Sequence, residues 1–486
     1  MVTFKQLGLN SEIIKSLDDL GFTQPTPIQE KAILFLLKSK KDLIALAQTG
    51  TGKTAAFSLP ILNQIKPRAN VLEAIIICPT RELCLQISKD IRNLGKYVDG
   101  LKVTSVYGGE RMDVQIKALK SGTNIVVGTP GRVHDMIRRN VLKLVNIKWV
   151  VLDEADEMLD MGFKQDLEAI LGETSKSRQT MLFSATMQKN IYSIAKKYMN
   201  ESEEISIGEK NKGADNVSHE YYVVQSRDRF EALKRILESL PGVYGILFCR
   251  TRRETQELAE KLKHEGYSTE ALNGDINQRL RTRIMDRFKN KQVSLLVATD
   301  VAARGIDVSN LSHVINYNLP DQNDAYTHRS GRTGRAQNSG VSITIVTSRD
   351  IRKIKMLEAM VGKKFEFKKV PNKADIYVKQ IDQFIEEIKQ ADISSIKTEK
   401  SLSEIKDKMK KLTKDELVDY FIATKFNKLL NGAEDSRDLN TDAFVAPVGR
   451  SSGQRRRFIG TNRKRGNYSN QRSGYRARRP EYKKSR

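Results

Sequence analysis

The stretch Asp42–Ile65, DLIALAQTGTGKTAAFSLPILNQI, decides the fold. An apolar run leads straight into the loop AQTGTGKT (Ala47–Thr54), and that loop opens into a helical run. Strand, loop and helix in this order are the context a phosphate-binding loop requires. Gly50 and Gly52 let backbone N–H groups wrap phosphates, Lys53 neutralises the outer phosphate oxygens, and Thr54 offers its hydroxyl to Mg2+. Gln48, Thr49 and Thr51 complete the cradle, while Ala47 stands where the strict pattern has its first glycine.

Working outward, short apolar runs alternate with amphipathic stretches from Asp42 to about Ile207: DLIALA, AIIIC, KVTSVY, NIVVG, WVVL and MLFS. This is the signature of a parallel α/β sheet. The polar segment IGEKNKGADN (Ile207–Asn216) interrupts it, after which YYVV, YGILFC, SLLVAT, HVINY and VSITIV resume the alternation. The predicted organisation is an N-terminal domain over 1–207, a linker over 208–216 and a second α/β domain over 217–367. WVVL ends at Asp153-Glu154-Ala155-Asp156, so two carboxylates sit at the carboxyl end of a buried strand, where α/β sheets bind ligands. Asp153 is assigned to Mg2+ through water, and Glu154 to orienting and deprotonating the attacking water. Asp156 and Glu157 read as a solvated acidic helix start favoured by the helix dipole.

From Phe4 to Thr347 the chain resembles the DEAD-box RNA helicases, with numerous motifs in order. GFTQPTPIQ (Gly21–Gln29) is similar to the family's Q motif, which implies that Gln29 reads the adenine edge and Phe22 packs on the ring. An amide carries both the donor and the acceptor that the adenine edge calls for. PTRELCLQ from Pro79, with Thr80 and Arg81, the pair Gly108-Gly109, and TPGR (Thr129, Pro130, Gly131, Arg132) resemble RNA-contacting motifs. Ser184 and Thr186 of SAT resemble the triplet that couples hydrolysis to RNA movement. In the second domain the resemblance covers FCRT with Arg250, Gln278 with Arg281, ATDVAARGID with Thr299, Gly305 and Asp307, and YTHRSGRTGR with His328, Arg332 and Arg335. It implies RNA contacts for Arg250, Gln278, Arg281, Thr299 and Gly305, a ribose contact for Asp307, arginine fingers at Arg332 and Arg335, and a bridge to the γ-phosphate site at His328. Ser330, Asn273 and Asn318 depart from the commoner residues, and none of the three is a proposed catalytic residue.

The resemblance implies two tandem RecA-like domains that close on ATP, Mg2+ and an RNA backbone, with local strand separation and little sequence preference. It further implies work in ribosome assembly, RNA decay or cold adaptation, with ribosomal or RNA-decay complexes as partners. An ATP-gated RNA clamp that scarcely unwinds and a DNA translocase remain as alternatives.

Composition agrees with this class. The net charge of +25 draws the chain towards polyanions, and residues 446–486 hold 14 Lys and Arg against one Glu, about half the excess. That segment, rich in Arg, Gly, Ser and Asn with Phe458, Tyr468, Tyr475 and Tyr482 interspersed, is predicted to be a disordered RNA-binding tail over 441–486. Between core and tail, Ile381, Phe384, Ile385 and Ile388 fall at helical spacing, and Thr413 with Glu416 announces a second helix ending at Asn431-Gly432. This 368–440 module resembles the extension of bacterial cold-shock DEAD-box helicases, some of which dimerise through it, which implies a homodimer. Cys78, Cys84 and Cys249 form neither a CxxC pair nor a metal spacing and are expected as small buried hydrophobes. The apolar runs are too short to span a bilayer and the N-terminus carries no secretory pattern, so a cytoplasmic protein is expected.

Overall fold

In the computed structural model the described residues are 2–47, 50–67, 71–187, 189–207, 216–304, 306, 308, 311–334, 338–390, 409–410, 412–430 and 437–441. Two seven-stranded, all-parallel sheets organise the chain. The first uses β1 (Asp42–Leu46), β2 (Ala74–Ile77), β3 (Val103–Val106), β4 (Ile125–Gly128), β5 (Trp149–Leu152), β6 (Gln179–Ser184) and β7 (Ser202–Ser206), in the order β3-β4-β2-β5-β6-β1-β7. The second uses β8 (Val217–Val223), β9 (Gly245–Cys249), β10 (Thr269–Leu272), β11 (Leu295–Thr299), β12 (His313–Asn316), β13 (Gly340–Val346) and β14 (Glu366–Lys368), in the order β10-β11-β9-β12-β13-β8-β14. Each is a RecA-like lobe, and both belong to one compact unit.

The central strands are apolar along their whole length because helices cover both faces. Side chains of a strand point alternately to the two sides, so Leu43, Ala45, Ile76 and Val151 enter the core on one face of the first sheet while Ile44, Leu46, Ile75, Ile77, Val150 and Leu152 enter the other. This double burial fixes the register and pins the carboxyl ends of β1, β5 and β6 side by side. Leu152 pairs with Leu182, and Leu46 with Ser184, so the residues that follow these strands emerge at one edge.

Three strands that the alternation did not reveal, β7, β10 and β14, each sit at the edge of a sheet. Edge strands are half solvated, and these carry Glu203, Glu204, Glu270, Glu366 and Lys368 where a central strand would carry aliphatics. Cys78, Cys84 and Cys249 are buried and free.

Beyond the second sheet, helices span Lys373–Gln390 and Lys414–Leu430. The second starts on a capping box: Thr413 N donates to Glu416 Oε2 at 2.9 Å and Glu416 N to Thr413 Oγ1 at 3.2 Å. Residues 437–440, expected in this extension, and Thr441, expected in the disordered tail, return to the second lobe, where Thr441 N donates to Val223 O at 3.2 Å. Asn440 forms an antiparallel bridge with Val224, and its amide accepts from Val370 N at 2.7 Å and donates to Val370 O at 3.2 Å. Leu439 is buried in the same apolar cluster as Val224 and Val370, and Arg437 pairs with Asp228. The expected helix end at Asn431-Gly432, linker residues 208–215 and the basic tail from 442 on lie outside the described residues.

Candidate nucleotide site and interlobe contacts

The loop after β1 feeds the helix Lys53–Gln64, whose first turn has no side-chain cap because Gly52 occupies the N-cap. Its amide groups therefore remain available to an anion. Gly52 is required on two counts. Its φ is +88°, and a Cβ there would fall 2.2 Å from Gln29 Nε2. Lys53 is buried and donates to Ala47 O at 3.1 Å, which holds the ammonium over the loop. Gln48 and Thr49 lie outside the described residues.

The Q-motif segment is tied to this loop. Thr26 caps the helix Pro27–Lys38 reciprocally with Gln29, Thr26 Oγ1 donates to Thr51 O at 2.8 Å, and Gln29 Nε2 donates to Gly52 O at 3.1 Å. Gln29 Oε1 accepts from Thr26 N at 3.0 Å, so one N–H and one lone pair of the amide are left for a ligand. Phe22, packed edge-on against Phe4, is 39% exposed, an aromatic face open at the cavity mouth.

Asp153 and Glu154 follow β5 directly. Burial pushes the Asp153 carboxyl up to about 7 against the pull of Lys53. Glu154 occupies the left-handed region at φ 52°, unusual for a residue with a side chain, and its buried Oε2 has no hydrogen-bond partner among the described residues. A cavity of about 350 Å3 joins these groups: Phe22, Gln29, Gly52, Lys53, Thr54, Asp153 and Glu154 line it from the first lobe, Ile306 and Arg332 from the second. Arg332 is buried and steadied by a 3.1 Å bond to Ile306 O. Arg335, Asp307 and Gly305 lie outside the described residues.

A desolvated carboxylate, an orphaned carboxylate oxygen and the Thr54 hydroxyl fit a hard divalent cation. Among the described residues no group of three His, Cys, Asp or Glu could hold one. Such an ion would therefore depend on phosphate oxygens and water for the rest of its shell.

Beside the cavity, a buried ionic cluster links the lobes. Asp156 Oδ2 accepts from Ala185 N (3.2 Å), Thr186 N (3.0 Å) and Thr186 Oγ1 (3.0 Å), and His328 Nε2 approaches it at 3.5 Å. Ser184 Oγ donates to Thr186 O at 2.6 Å, completing the turn. His328 Nδ1 lies 2.6 Å from Glu157 Oε1, and Arg304 pairs with Glu157 and, at 3.7 Å, with Asp160. Burial works against the His328 cation, but its hydrogen bonds to Asp156 and Glu157 raise its pKa to about 10. Burial likewise works against the Asp156 anion, and the His328 hydrogen bond and charge still hold it well below the usual carboxylate range. The expectation of a solvated acidic helix start is thus corrected for Asp156 and Glu157: both are buried, and both face cations from the other lobe.

Of the remaining motif residues, Arg81, Gly109 and Gln278 line a second opening. Thr80 caps the helix Arg81–Leu94 through Leu83 N, whereas Thr129, ahead of Pro130 and Gly131, and Thr299 make no side-chain cap bond. Arg132 donates to Glu110 O and Gln115 Oε1, bracing the loop that holds Gly108 and Gly109, the latter at φ +79°. Arg81 lies over the Tyr107 ring, and Arg250 pairs with Asp321. Gln278 and Arg281 both reach across to Glu82 Oε1, at 3.3 and 2.5 Å, and Arg281 also donates to Ala302 O. Their polar groups are thus engaged between the lobes.

Comparison with known proteins decides the family. The DEAD/DEAH box helicase family matches residues 26–194, the helicase conserved C-terminal domain matches 228–337, and a helical domain of a probable ATP-dependent RNA helicase matches 376–434. DEAD-box ATP-dependent RNA helicase CshA of Geobacillus kaustophilus is 43% identical over 371 residues, which span 76% of this chain and 79% of that protein. CshA of Bacillus subtilis is 41% identical over 397 residues, 82% of this chain and 78% of its own. The chain belongs to the DEAD-box ATP-dependent RNA helicases. Among solved structures, Saccharomyces cerevisiae Dbp5 bound to RNA and ADP BeF3 aligns with a TM-score of 0.71 at 30% identity, covering 79% of this chain and 99% of that one. Mss116p bound to ssRNA and AMP-PNP aligns with a TM-score of 0.70 at 29% identity, covering 78% and 82%.

Within this helicase several residues escape a reading by motif position. Glu82 and Arg304 lie inside quoted motifs yet carry charges whose partners come from the opposite lobe. Arg329 is buried, bonds Asp300 through both Nε and Nη2, and donates to Asn316 Oδ1 and Asn318 O, fixing the His328 helix to the end of β11 and β12. For Arg329, only the run of charges in YTHRSGRTGR hints at this role.

Proposed function

We propose that the chain works as a two-lobed clamp, an RNA-stimulated ATPase that closes on ATP and an RNA backbone and opens a duplex locally. The observation that carries this reading is the shared cavity: Lys53 and Glu154 from one lobe face Arg332 from the other. In this reading Lys53 holds the outer phosphates, and the free oxygen of Glu154 orients the attacking water and takes its proton. Arg332, with Arg335, stabilises charge on the transferred phosphoryl group; such fingers contribute on the order of 10³ to 10⁵ in rate. Phe22 and Gln29 favour adenine, and Asp307 approaches the ribose. Mg2+, held through Thr54 and Asp153, supplies charge neutralisation when bound.

Because donor and acceptor groups come from different lobes, turnover requires closure. Ser184, Thr186 and His328 relay that closure through Asp156. RNA follows Thr80, Arg81, Gly108, Gly109, Thr129, Pro130, Gly131 and Arg132 on one side and Arg250, Thr299 and Gly305 on the other, through phosphate and sugar contacts rather than bases. Gln278 and Arg281 act there by holding the lobes together at Glu82.

The helices of 368–440 expose Leu417, Val418, Tyr420, Phe421 and Ile422, which supports a homodimer formed through this module. The basic tail acts as a non-specific RNA tether. Among the described residues no helix is long and apolar enough to cross a membrane, and the protein is proposed to act in the cytoplasm on ribosome assembly, RNA decay or cold-adapted translation. ATPase rates with and without single-stranded RNA test the core of this proposal. Strong stimulation that Glu154→Gln abolishes is expected, and a rate indifferent to RNA would overturn it.

A further inference from the structure

The interlobe opening beyond the motif residues holds cationic groups that no step above uses. A cleft of about 640 Å3 is lined by Arg81, Gly109 and Glu110 from the first lobe and by the helix Gln278–Lys289 from the second. Four arginines of that helix differ sharply in how they are satisfied. Arg281 is bound by Glu82 and Ala302 O, and Arg287 is bound by Glu270. Arg279 and Arg283 line the cleft, are exposed, and take part in no ion pair or side-chain hydrogen bond among the described residues.

Two unpaired guanidiniums at positions i and i+4 share one helix face, about 6 Å apart along its axis. That arrangement addresses successive phosphates of one strand. Of the carboxylates on the cleft wall, Glu110 is drawn to Arg81 at 3.8 Å and accepts from the Tyr107 hydroxyl at 3.4 Å, so its charge is partly spent. Asp286 tempers the potential further along the helix. Arg81 and Gly109, which belong to the proposed RNA path, line this same cleft.

We infer that Arg279 and Arg283 form a phosphate-binding ledge for the RNA that continues past the clamped segment. The inference rests on the RNA reading of the core and adds to it a second contact zone, independent of nucleotide chemistry. Its chemical basis is counterion release. Each phosphate neutralised on a single strand adds about 0.7 to the slope of log affinity against log salt.

The test uses the full chain held closed with a non-hydrolysable ATP analogue. Affinity is measured at several salt concentrations for the shortest oligonucleotide that stimulates hydrolysis and for one twice as long. For Arg279→Gln with Arg283→Gln, the slope on the longer RNA is expected to fall by about 1.4, so that its affinity deficit shrinks about sevenfold between 50 and 200 mM salt. The shorter RNA should bind and stimulate as before. Arg279→Lys with Arg283→Lys, which keeps both point charges, should restore the slope. An unchanged slope on the longer RNA sinks the ledge while leaving the clamp standing; absence of any RNA stimulation in the unaltered protein sinks the clamp itself.

Discussion

Replacing His328 by Ala removes the cation that Asp156 and Glu157 share across the lobes, and the structure sets the scale of the loss. Both carboxylates are almost fully buried, and His328 itself keeps only 11% of its side chain exposed. Breaking a buried pair by deleting one partner costs about 3–5 kcal/mol, mostly because the remaining charge stays desolvated. Arg304 continues to serve Glu157, which places the cost near the lower end, about 3 kcal/mol. With the lobes apart, water returns to both carboxylates, so the whole cost falls on the closed state. At 1.4 kcal/mol per factor of ten, closure weakens about 150-fold. The assay is RNA affinity with and without a non-hydrolysable ATP analogue. The unaltered protein should bind RNA far more tightly with nucleotide; His328→Ala should lose most of that gain while its nucleotide-free affinity and thermal midpoint stay put. A gain in affinity that survives the substitution would show that closure does not depend on this cluster.

The same cluster sets a pH dependence. His328 is raised from 6.5 to about 10 in the closed state, so its contribution is complete below 6.5 and drains away as pH rises through about 10. Nucleotide-dependent RNA binding, followed fluorimetrically from pH 6.5 to 10, should weaken in the native protein and stay flat in His328→Gln. Gly52→Ala forces a side chain into the left-handed region and onto Gln29 Nε2, and should weaken ATP binding by at least about tenfold in equilibrium titration, since left-handed backbone alone costs about 1–2 kcal/mol. Asn440→Ala leaves the Val370 N–H and C=O without partners, and should lower unfolding free energy of the second lobe by about 1–3 kcal/mol in denaturant titration, with faster hydrogen exchange at Val370.

How much of this was legible in the chain follows from which physical signals run locally. Central strands of a covered parallel sheet are apolar end to end, so β1, β2, β5, β9 and β11 announce themselves. Edge strands face solvent, and SEEIS, TEAL and EFK carry no such mark. The phosphate loop and the carboxylates after β5 are contiguous, so their chemistry can be read from spacing alone. Asp156 and Glu157 look like any acidic first turn until the fold brings Arg304 and His328 against them. The Gln29 amide shows the same limit from the other side. Its suitability for adenine is visible in its donors and acceptors, but not that the Thr26 amide and Gly52 carbonyl occupy half of them. Asn440 and Leu439 lie after a helical stretch, and nothing in their neighbours signals a return to β8.

Asp156 connects these findings into one device. Its Oδ2 faces three donors from the Ala185–Thr186 turn as well as His328, more than the two lone pairs of a single carboxylate oxygen can serve well at once. While the lobes are closed, the protonated His328 contributes charge that keeps Asp156 ionised despite its burial. When the lobes part, that charge leaves, and the turn donors, the Glu157 amide and the charge of Lys53 remain as support from the first lobe. Glu154 lies two residues earlier at the helix N-cap, in the left-handed region. In the proposed clamp, the second lobe bears through His328 on Asp156, two residues from the carboxylate that faces the cavity. Coupling between RNA and nucleotide then needs no long pathway, because both depend on one equilibrium, the closing of the lobes.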